Sequence, residues 1–225
     1  MVRLVWSQLA IAFSALLPLV NPLGSALVFY GLVGAAPPEI YRRLARKIAI
    51  NTVIFLLVIE LIGATLLSFF GVSLPIVEVA GGLVLASMGW SLLNQQGAAA
   101  HLKEKESEAP DSNVDELSGQ TFYPLTFPVT AGPGCIVIML TLTAHASTYG
   151  LIPNLLAHLG ILVAVIVLCV LVYFAYSYAP LITRKISAQT AHGIVRIIAF
   201  LLLCIGVQIA WNGLSSLLLT LAKHR

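Results

Sequence analysis

Six long apolar stretches constrain the fold of this chain more than any other feature of its sequence. A helix needs roughly 20 residues to cross a ~30 Å hydrocarbon core. The apolar stretches, each about that long or longer, lie near residues 7–33, 48–70, 75–94, 122–144, 153–179 and 194–221. Only 9% of the 225 residues are charged, against roughly 25% in soluble domains. The sequence therefore predicts an all-α membrane protein with six transmembrane helices.

The basic residues between these stretches predict the orientation of the chain in the membrane. The loops after stretches one, three and five carry eight basic residues, which are Arg42, Arg43, Arg46, Lys47, Lys103, Lys105, Arg184 and Lys185. Only three basic residues lie on the opposite side. Because basic loops stay in the cytoplasm, both termini are predicted to lie outside. Residues 96–121 then form a cytoplasmic polar linker between two three-helix units, 1–95 and 122–225.

The sequence contains no pattern typical of a metal, cofactor or nucleic-acid site. Cys135, Cys169 and Cys204 form no C-x-x-C pair, and we expect them to be small core residues of the helices. Neither H-E-x-x-H nor G-x-S-x-G occurs, so we do not expect an enzyme. No basic patch stands apart from the loops, and no nucleic-acid partner is predicted. The lipid bilayer is the partner that the composition predicts.

Two of the six stretches contain residues that interrupt a helix. Pro18–Ser25 and Pro124–Gly134 both begin with Pro-Leu-x-x-Pro and continue into glycine. In each, the second proline cannot donate a hydrogen bond to the carbonyl of the first, because the two are four residues apart. Unpaired backbone at membrane depth is tolerated only where it is buried in protein or lines a polar cavity. We therefore predict that helices 1 and 4 are broken at mid-membrane.

The positions of the two breaks also predict an internal repeat. Each break lies in the first helix of a three-helix unit. An odd number of helices per unit makes the second unit enter the membrane in the opposite sense. Paired broken helices in inverted repeats are typical of transporters that bind their substrate at the midplane. A single proline usually indicates only a kink, so the prediction of a site depends on the symmetric pair and its adjacent glycines.

A helix broken at mid-membrane offers partial charges of both signs to a ligand. We expect the half-helices that restart after Gly24 and Gly134 to present N–H groups, which suit a carboxylate. The halves that end at Pro18–Pro22 and Pro124–Pro128 are expected to present carbonyls, which suit an ammonium group. The predicted substrate-binding residues are Asn21, Pro22, Gly24, Ser25, Thr126, Thr130, Gly132 and Gly134. Their short side chains favour a small zwitterion.

Several polar residues within the spans have both a structural and a functional interpretation. Glu60 falls about half-way along the second stretch, where an ionised carboxylate is costly, and is our candidate for proton coupling. His158 is more often a hydrogen-bonded core residue than a proton relay. Glu78 and Arg196 are not expected to pair, because they lie near opposite ends of their spans. The sequence thus points to one ionisable functional group.

The spacing or the position of three further groups of residues indicates their roles. Gln208 and Asn212, four residues apart, could line a cavity or bridge two helices. The small residues Gly81, Gly82 and Ala86 predict a seam between packed helices. The three tyrosines near the cytoplasmic end of stretch five, which are Tyr173, Tyr176 and Tyr178, predict an aromatic belt at the membrane surface.

The chain resembles the MarC-type family of integral membrane proteins. The residues that carry the resemblance are Asn21–Gly24, Phe70–Pro75, Ala80–Gly82, Pro124–Leu125, Pro128, Ala131–Gly134, Gly206–Gln208 and Asn212–Gly213. These short segments are distributed along nearly the whole chain apart from the linker. One position departs from the family pattern, because Glu78 stands where the family often has arginine. No role of a basic residue is therefore carried over to Glu78.

The resemblance implies inverted three-helix repeats, a location in the bacterial inner membrane and, for some relatives, transport of small neutral amino acids such as glycine and alanine. We therefore expect a secondary transporter of this class, without a cofactor, whose substrate is held between the broken helices. The alternatives are a channel or facilitator, which needs a continuous polar path, and a drug or metabolite efflux protein, which favours a large aromatic-lined cavity. The oligomeric state does not follow from the sequence.

Overall fold

The computed structural model of the chain describes residues 2–34, 36–94, 119, 121–146, 150–185 and 188–223, and these residues contain no β-strand. The helices are α1 (Val2–Val20), α2 (Pro22–Val33), α3 (Pro38–Phe69), α4 (Leu74–Asn94), α5 (Thr121–Thr130), α6 (Pro133–Ala146), α7 (Leu151–Ser177), α8 (Ala179–Lys185) and α9 (Ala188–Lys223). The predicted all-α class is confirmed. The predicted linker, 96–121, lies outside the described residues except for Gly119 and Thr121.

Four helical segments are long and apolar enough to cross a membrane, and they are Val2–Val33, Leu74–Asn94, Leu151–Ser177 and Arg196–Ala222. The bent pair of α5 and α6 makes a fifth if it counts as one span. The described residues therefore form a helical protein with four to five such spans. The predicted stretch 48–70 lies in α3, which is outside this count. The arrangement of six spans in inverted repeats stays a prediction.

Helix α7 is the centre of one group of packed helices, in which it contacts α1, α2 and α3. Gly160 permits the close approach of α7 to α1, because a Cβ at this position would lie 2.7 Å from the carbonyl oxygen of Val5. Further along, the ring of Tyr176 stacks on Phe29 of α2 with centroids 4.6 Å apart. Helix α7 therefore runs in the same direction as α1 and α2.

Helices α4 and α9 form an antiparallel pair with a glycine seam. A Cβ added at Gly82 would lie 2.5 Å from the carbonyl oxygen of Gly206, and one at Gly89 would lie 2.8 Å from that of Ala199. These contacts leave no room for side chains, so the predicted packing role of Gly82 is confirmed. Gly81 faces α6 instead of α9, where a Cβ would meet the side chain of Val137.

The same seam separates Glu78 from Arg196. Glu78 is buried, and its Cβ lies beside Gly213 on α9. At 1.5 Å per residue, Arg196 is about 25 Å further along that helix, so the expectation that the two do not pair agrees with the packing. Cys135 and Cys169 are buried as predicted, whereas Cys204 is exposed on α9 and the expectation of a core position is wrong there.

Candidate functional site

The first interruption is a single residue, Asn21, between α1 and α2. It has φ 43° and ψ 68°, in the left-handed region that asparagine occupies more readily than most residues. Its side-chain oxygen accepts a hydrogen bond from the N–H of Gly24 at 3.0 Å. Pro22 follows as the first residue of α2, a position where its missing N–H costs nothing. Asn21 therefore both breaks the first helix and caps the next one.

The second interruption separates α5 from α6 at Ala131 and Gly132, with a bend of 67°. Within α5, Tyr123 and Phe127 have extended backbone angles, with φ −117° and −120°. Each precedes a proline, and a residue in that position is disfavoured in the helical region. The N–H of Ala131 donates to the carbonyl of Thr126 at 2.8 Å, one residue further back than in an α-helix. The helix therefore widens before it breaks.

The half-helices restart earlier than the sequence predicted. Helix α2 begins at Pro22 and α6 at Pro133, so the predicted restarts after Gly24 and Gly134 are wrong. Both helices begin at a proline, and α2 is capped by the residue before it, Asn21. The Asn21 side chain occupies the N–H of Gly24, so this N–H is not free for a ligand.

Three hydroxyls near the breaks turn toward their own backbone. Each donates to the carbonyl five residues earlier, and the bonds are Ser25 to Val20 (2.6 Å), Thr126 to Thr121 (2.7 Å) and Thr130 to Leu125 (2.6 Å). The expectation of spare carbonyls at the ends of the first half-helices therefore needs correction, because these carbonyls already accept one hydrogen bond.

Tyr176 connects the second break to α7. Its hydroxyl lies 2.7 Å from that of Thr130, and both residues are fully buried. The prediction that Tyr176 belongs to an aromatic belt at the membrane surface is therefore wrong. A signal for burial was present in the sequence, since Tyr176 shares a helical face with Val172 and Leu168, which are also buried.

A cavity of about 230 Å³ lies between the two interruptions. Five of the eight predicted site residues line this cavity, and they are Asn21, Gly24, Ser25, Gly132 and Gly134. Pro22, Thr126 and Thr130 are not among the lining residues. The remaining wall is mainly apolar and includes Leu85 and Met88 of α4 and Ile198 and Leu202 of α9. The α4–α9 pair therefore forms one wall of the cavity, and the two breaks form the others.

The two breaks also contact each other beside this cavity. The Ser25 hydroxyl lies 3.5 Å from the carbonyl oxygen of Val129. A Cβ added at Gly132 would lie 3.2 Å from the carbonyl oxygen of Pro128 and 4.0 Å from the methyl carbon of Met88. One at Gly134 would lie 2.2 Å from a methyl carbon of Leu85. Glycine at both positions thus keeps backbone at the cavity surface.

Glu60 forms a polar pair with His158 away from this cavity. Glu60 is 6% exposed, and its Oε1 atom lies 3.3 Å from Nδ1 of His158 on α7. Its other oxygen, Oε2, has no hydrogen-bond partner among the described residues. Neither residue lines the cavity between the breaks. The sequence offered no signal for this pair, because it depends on how α3 packs against α7.

Within a single copy of the chain, the described residues support neither of the two interpretations of the spacing of Gln208 and Asn212. Both are exposed, and the side-chain amide of Gln208 donates to the Asn212 side-chain oxygen at 2.9 Å. They do not line the cavity between the breaks. Among the described residues, they also bridge no other helix, because each bonds to the other on α9. Nor do the described residues include a group of three His, Cys, Asp or Glu side chains placed to hold a metal ion.

The fold defines the class of protein, which is a multi-pass helical membrane protein with two interrupted helices beside a small cavity. The model of the family described as "MarC family integral membrane protein" matches residues 6–218. The chain therefore belongs to the MarC family, and it is a multi-pass protein of the bacterial inner membrane.

Three relatives show the extent of the similarity, and each is a "UPF0056 inner membrane protein MarC". The relative from Salmonella typhimurium strain LT2 is 26% identical over 216 residues, which are 96% of this chain and 98% of the relative. The relative from Citrobacter koseri is 26% identical over 217 residues with the same coverage, and that from Escherichia coli O1:K1 is 25% identical. No solved structure matches the chain significantly.

Proposed function

We propose that the chain is a secondary transporter of small neutral amino acids such as glycine and alanine, and not an enzyme. The substrate is held between Asn21–Ser25 and Thr130–Gly134. The observation that carries the proposal is the cavity of about 230 Å³, which residues of both breaks line. Sites for drug-sized ligands measure roughly 300–1,000 Å³. The smaller volume favours a small substrate over a drug, and the apolar walls do not favour the continuous polar path of a channel.

The electrostatics of the cavity support a zwitterion. Among the described residues, no charged side chain lines it, so nothing there compensates a ligand with a net charge. The N-terminus of α6 at Pro133 lies next to Gly132 and Gly134, and the positive end of its dipole suits a carboxylate. Pro128 and Val129 also line the cavity, and backbone carbonyls such as theirs suit an ammonium group. The apolar walls formed by leucine and methionine suit the side chain of the substrate, which is a hydrogen atom in glycine and a methyl group in alanine.

The same proposal includes six spans in two inverted repeats, with both termini outside. Helix α3 supplies the additional span, because its outward face carries a row of exposed apolar residues that includes Ile54, Val58 and Leu61. The two interrupted helices then open the two halves of the chain. At both breaks a hydroxyl, from Ser25 or Thr130, donates to the carbonyl five residues earlier, which supports their equivalence.

Glu60 is the proton-coupling group in this proposal. A carboxylate inside a span is costly unless it is paired or protonated, and Glu60 has one partner, His158. The pair does not touch the substrate, so coupling acts through the helices that carry it. Helix α7 carries both His158 and Tyr176, and Tyr176 contacts the second break through Thr130.

Counterflow in proteoliposomes tests the proposal. Vesicles with purified protein are preloaded with unlabelled glycine or alanine, and uptake of the labelled amino acid is followed without any ion gradient. We expect transient accumulation of glycine and alanine, and no accumulation of glutamate, lysine or tryptophan. Protein-free vesicles provide the background. Counterflow of the charged or large amino acids with none for glycine and alanine would contradict the substrate class.

A further inference from the structure

The outward face of α9 carries amide side chains near the centre of an apolar span. Gln208 and Asn212 lie well inside the segment Arg196–Ala222, which is apolar enough to cross a membrane. Exposed Val207 and Trp211 flank them on the helix surface. The polar row continues through Ser216, whose hydroxyl donates to the carbonyl of Asn212 at 3.0 Å. This part of α9 therefore faces the hydrocarbon region with groups that hydrocarbon does not solvate.

The bond between the two amides does not satisfy them. It uses one N–H of Gln208 and the side-chain oxygen of Asn212. The Gln208 oxygen and the Asn212 amide nitrogen are left without a partner among the described residues. Unpaired polar groups are costly in lipid, and polar side chains within spans usually bond to a neighbouring helix. The opposite face of α9 is already occupied by α4.

We infer that α9 of a second copy of this chain covers this face, so that the protein is a homodimer. The pair is self-complementary, because each copy offers one unused acceptor on Gln208 and unused donors on Asn212. Two copies inserted in the same sense are related by a twofold axis normal to the membrane, which places equal depths of α9 opposite each other. The amides of one copy then bond reciprocally to those of the other. This inference is independent of the transported substrate.

The native cysteines provide a direct test. Cys204 is exposed and lies one turn before Gln208 on the same face of α9, whereas Cys135 and Cys169 are buried. A short bis-maleimide added to membranes that contain the wild-type protein is expected to link two copies through Cys204. Cys204→Ser should abolish the linked dimer. In that background, Val167→Cys on the exposed face of α7 should not restore it.

Energy transfer between labelled copies in liposomes measures the strength of association. Gln208→Leu with Asn212→Leu is expected to raise the dissociation constant roughly tenfold, since interhelical polar bonds are individually modest. Val167→Leu, on α7, should leave it unchanged. Thermal unfolding of each variant in detergent confirms that it is folded.

Three results would overturn the inference. The first is a wild-type protein that is monomeric by energy transfer and does not cross-link through Cys204. The second is cross-linking of Cys204 only to a different membrane protein, and the third is association that the leucine substitutions leave unchanged.

Discussion

The hydroxyl of Thr130 lies 2.7 Å from that of Tyr176, and this hydrogen bond joins the end of an interrupted helix to α7, the centre of one group of packed helices. The same Thr130 hydroxyl caps the carbonyl of Leu125. The shape of the second break is therefore held from two sides. On one side is its own backbone, and on the other is α7, which also carries His158.

Removal of the Tyr176 hydroxyl should loosen the second break. Tyr176→Phe keeps the ring that stacks on Phe29 but loses the bond to Thr130, which corresponds to about 1 kcal/mol of unfolding free energy. We expect only a small drop in the thermal unfolding temperature in detergent, and a clear fall in the rate of glycine counterflow. Tyr173→Phe, on the same helix, is the matched control. Identical behaviour of the two variants in both measurements would rule out this role for Tyr176.

Substitutions at Asn21 should follow a defined order of stability. Asn21→Ala loses the cap on Gly24, which costs about 1 kcal/mol, and also places alanine in the left-handed region, which costs roughly 1–2 kcal/mol more. Asn21→Gly loses the cap but tolerates the φ of 43°. Thermal unfolding should therefore rank the wild type first, glycine second and alanine third. An alanine variant at least as stable as the glycine variant would show that the strain is absent.

Glu60→Gln should separate coupling from folding. Glutamine has the same shape and can still hydrogen-bond to His158, so we expect near-normal expression and thermal stability. A group that carries a proton in one state and not in another makes transport depend on pH, and glutamine cannot do so. The pH dependence of amino-acid uptake should therefore weaken. Full activity with an unchanged pH profile would assign Glu60 a purely structural role.

Reporter fusions at the C-terminus test the orientation. The proposed six-span topology places eight basic residues on one side of the membrane and three on the other, so a periplasmic phosphatase fused after Arg225 should be active. A green fluorescent protein exported at the same position should remain dark. The opposite pair of results would place the termini in the cytoplasm and reverse the topology.

The breaks could be predicted from the sequence because their cause is local. A proline lacks an N–H wherever it lies, and the pattern around Pro22 and Pro128 was enough to locate both interruptions. The exact restart of each helix was not predictable in this way. It depends on which group caps the first turn, and at α2 that group is the Asn21 side chain, not a glycine.

Residues whose role depends on tertiary packing were harder to predict. Thr126 and Thr130 were expected to face a ligand, but their hydroxyls donate to backbone carbonyls of their own helix, those of Thr121 and Leu125. Tyr176 was expected at the membrane surface, although its buried helical neighbours indicated otherwise. The pairing of Glu60 with His158 joins two helices that are far apart in the sequence. No local pattern in either helix predicts it.

Calorimetric titration of the purified protein with glycine and alanine tests the central claim most directly. Gly132 is the decisive position, because a valine there would extend from the cavity surface toward Met88. Leu83→Val, at an exposed position on α4, is the control. We predict that the wild type and Leu83→Val bind both amino acids and that Gly132→Val, folded by thermal unfolding, binds neither. A wild type that binds neither amino acid, or a Gly132→Val variant that binds both as the wild type does, would contradict a substrate site between the two broken helices.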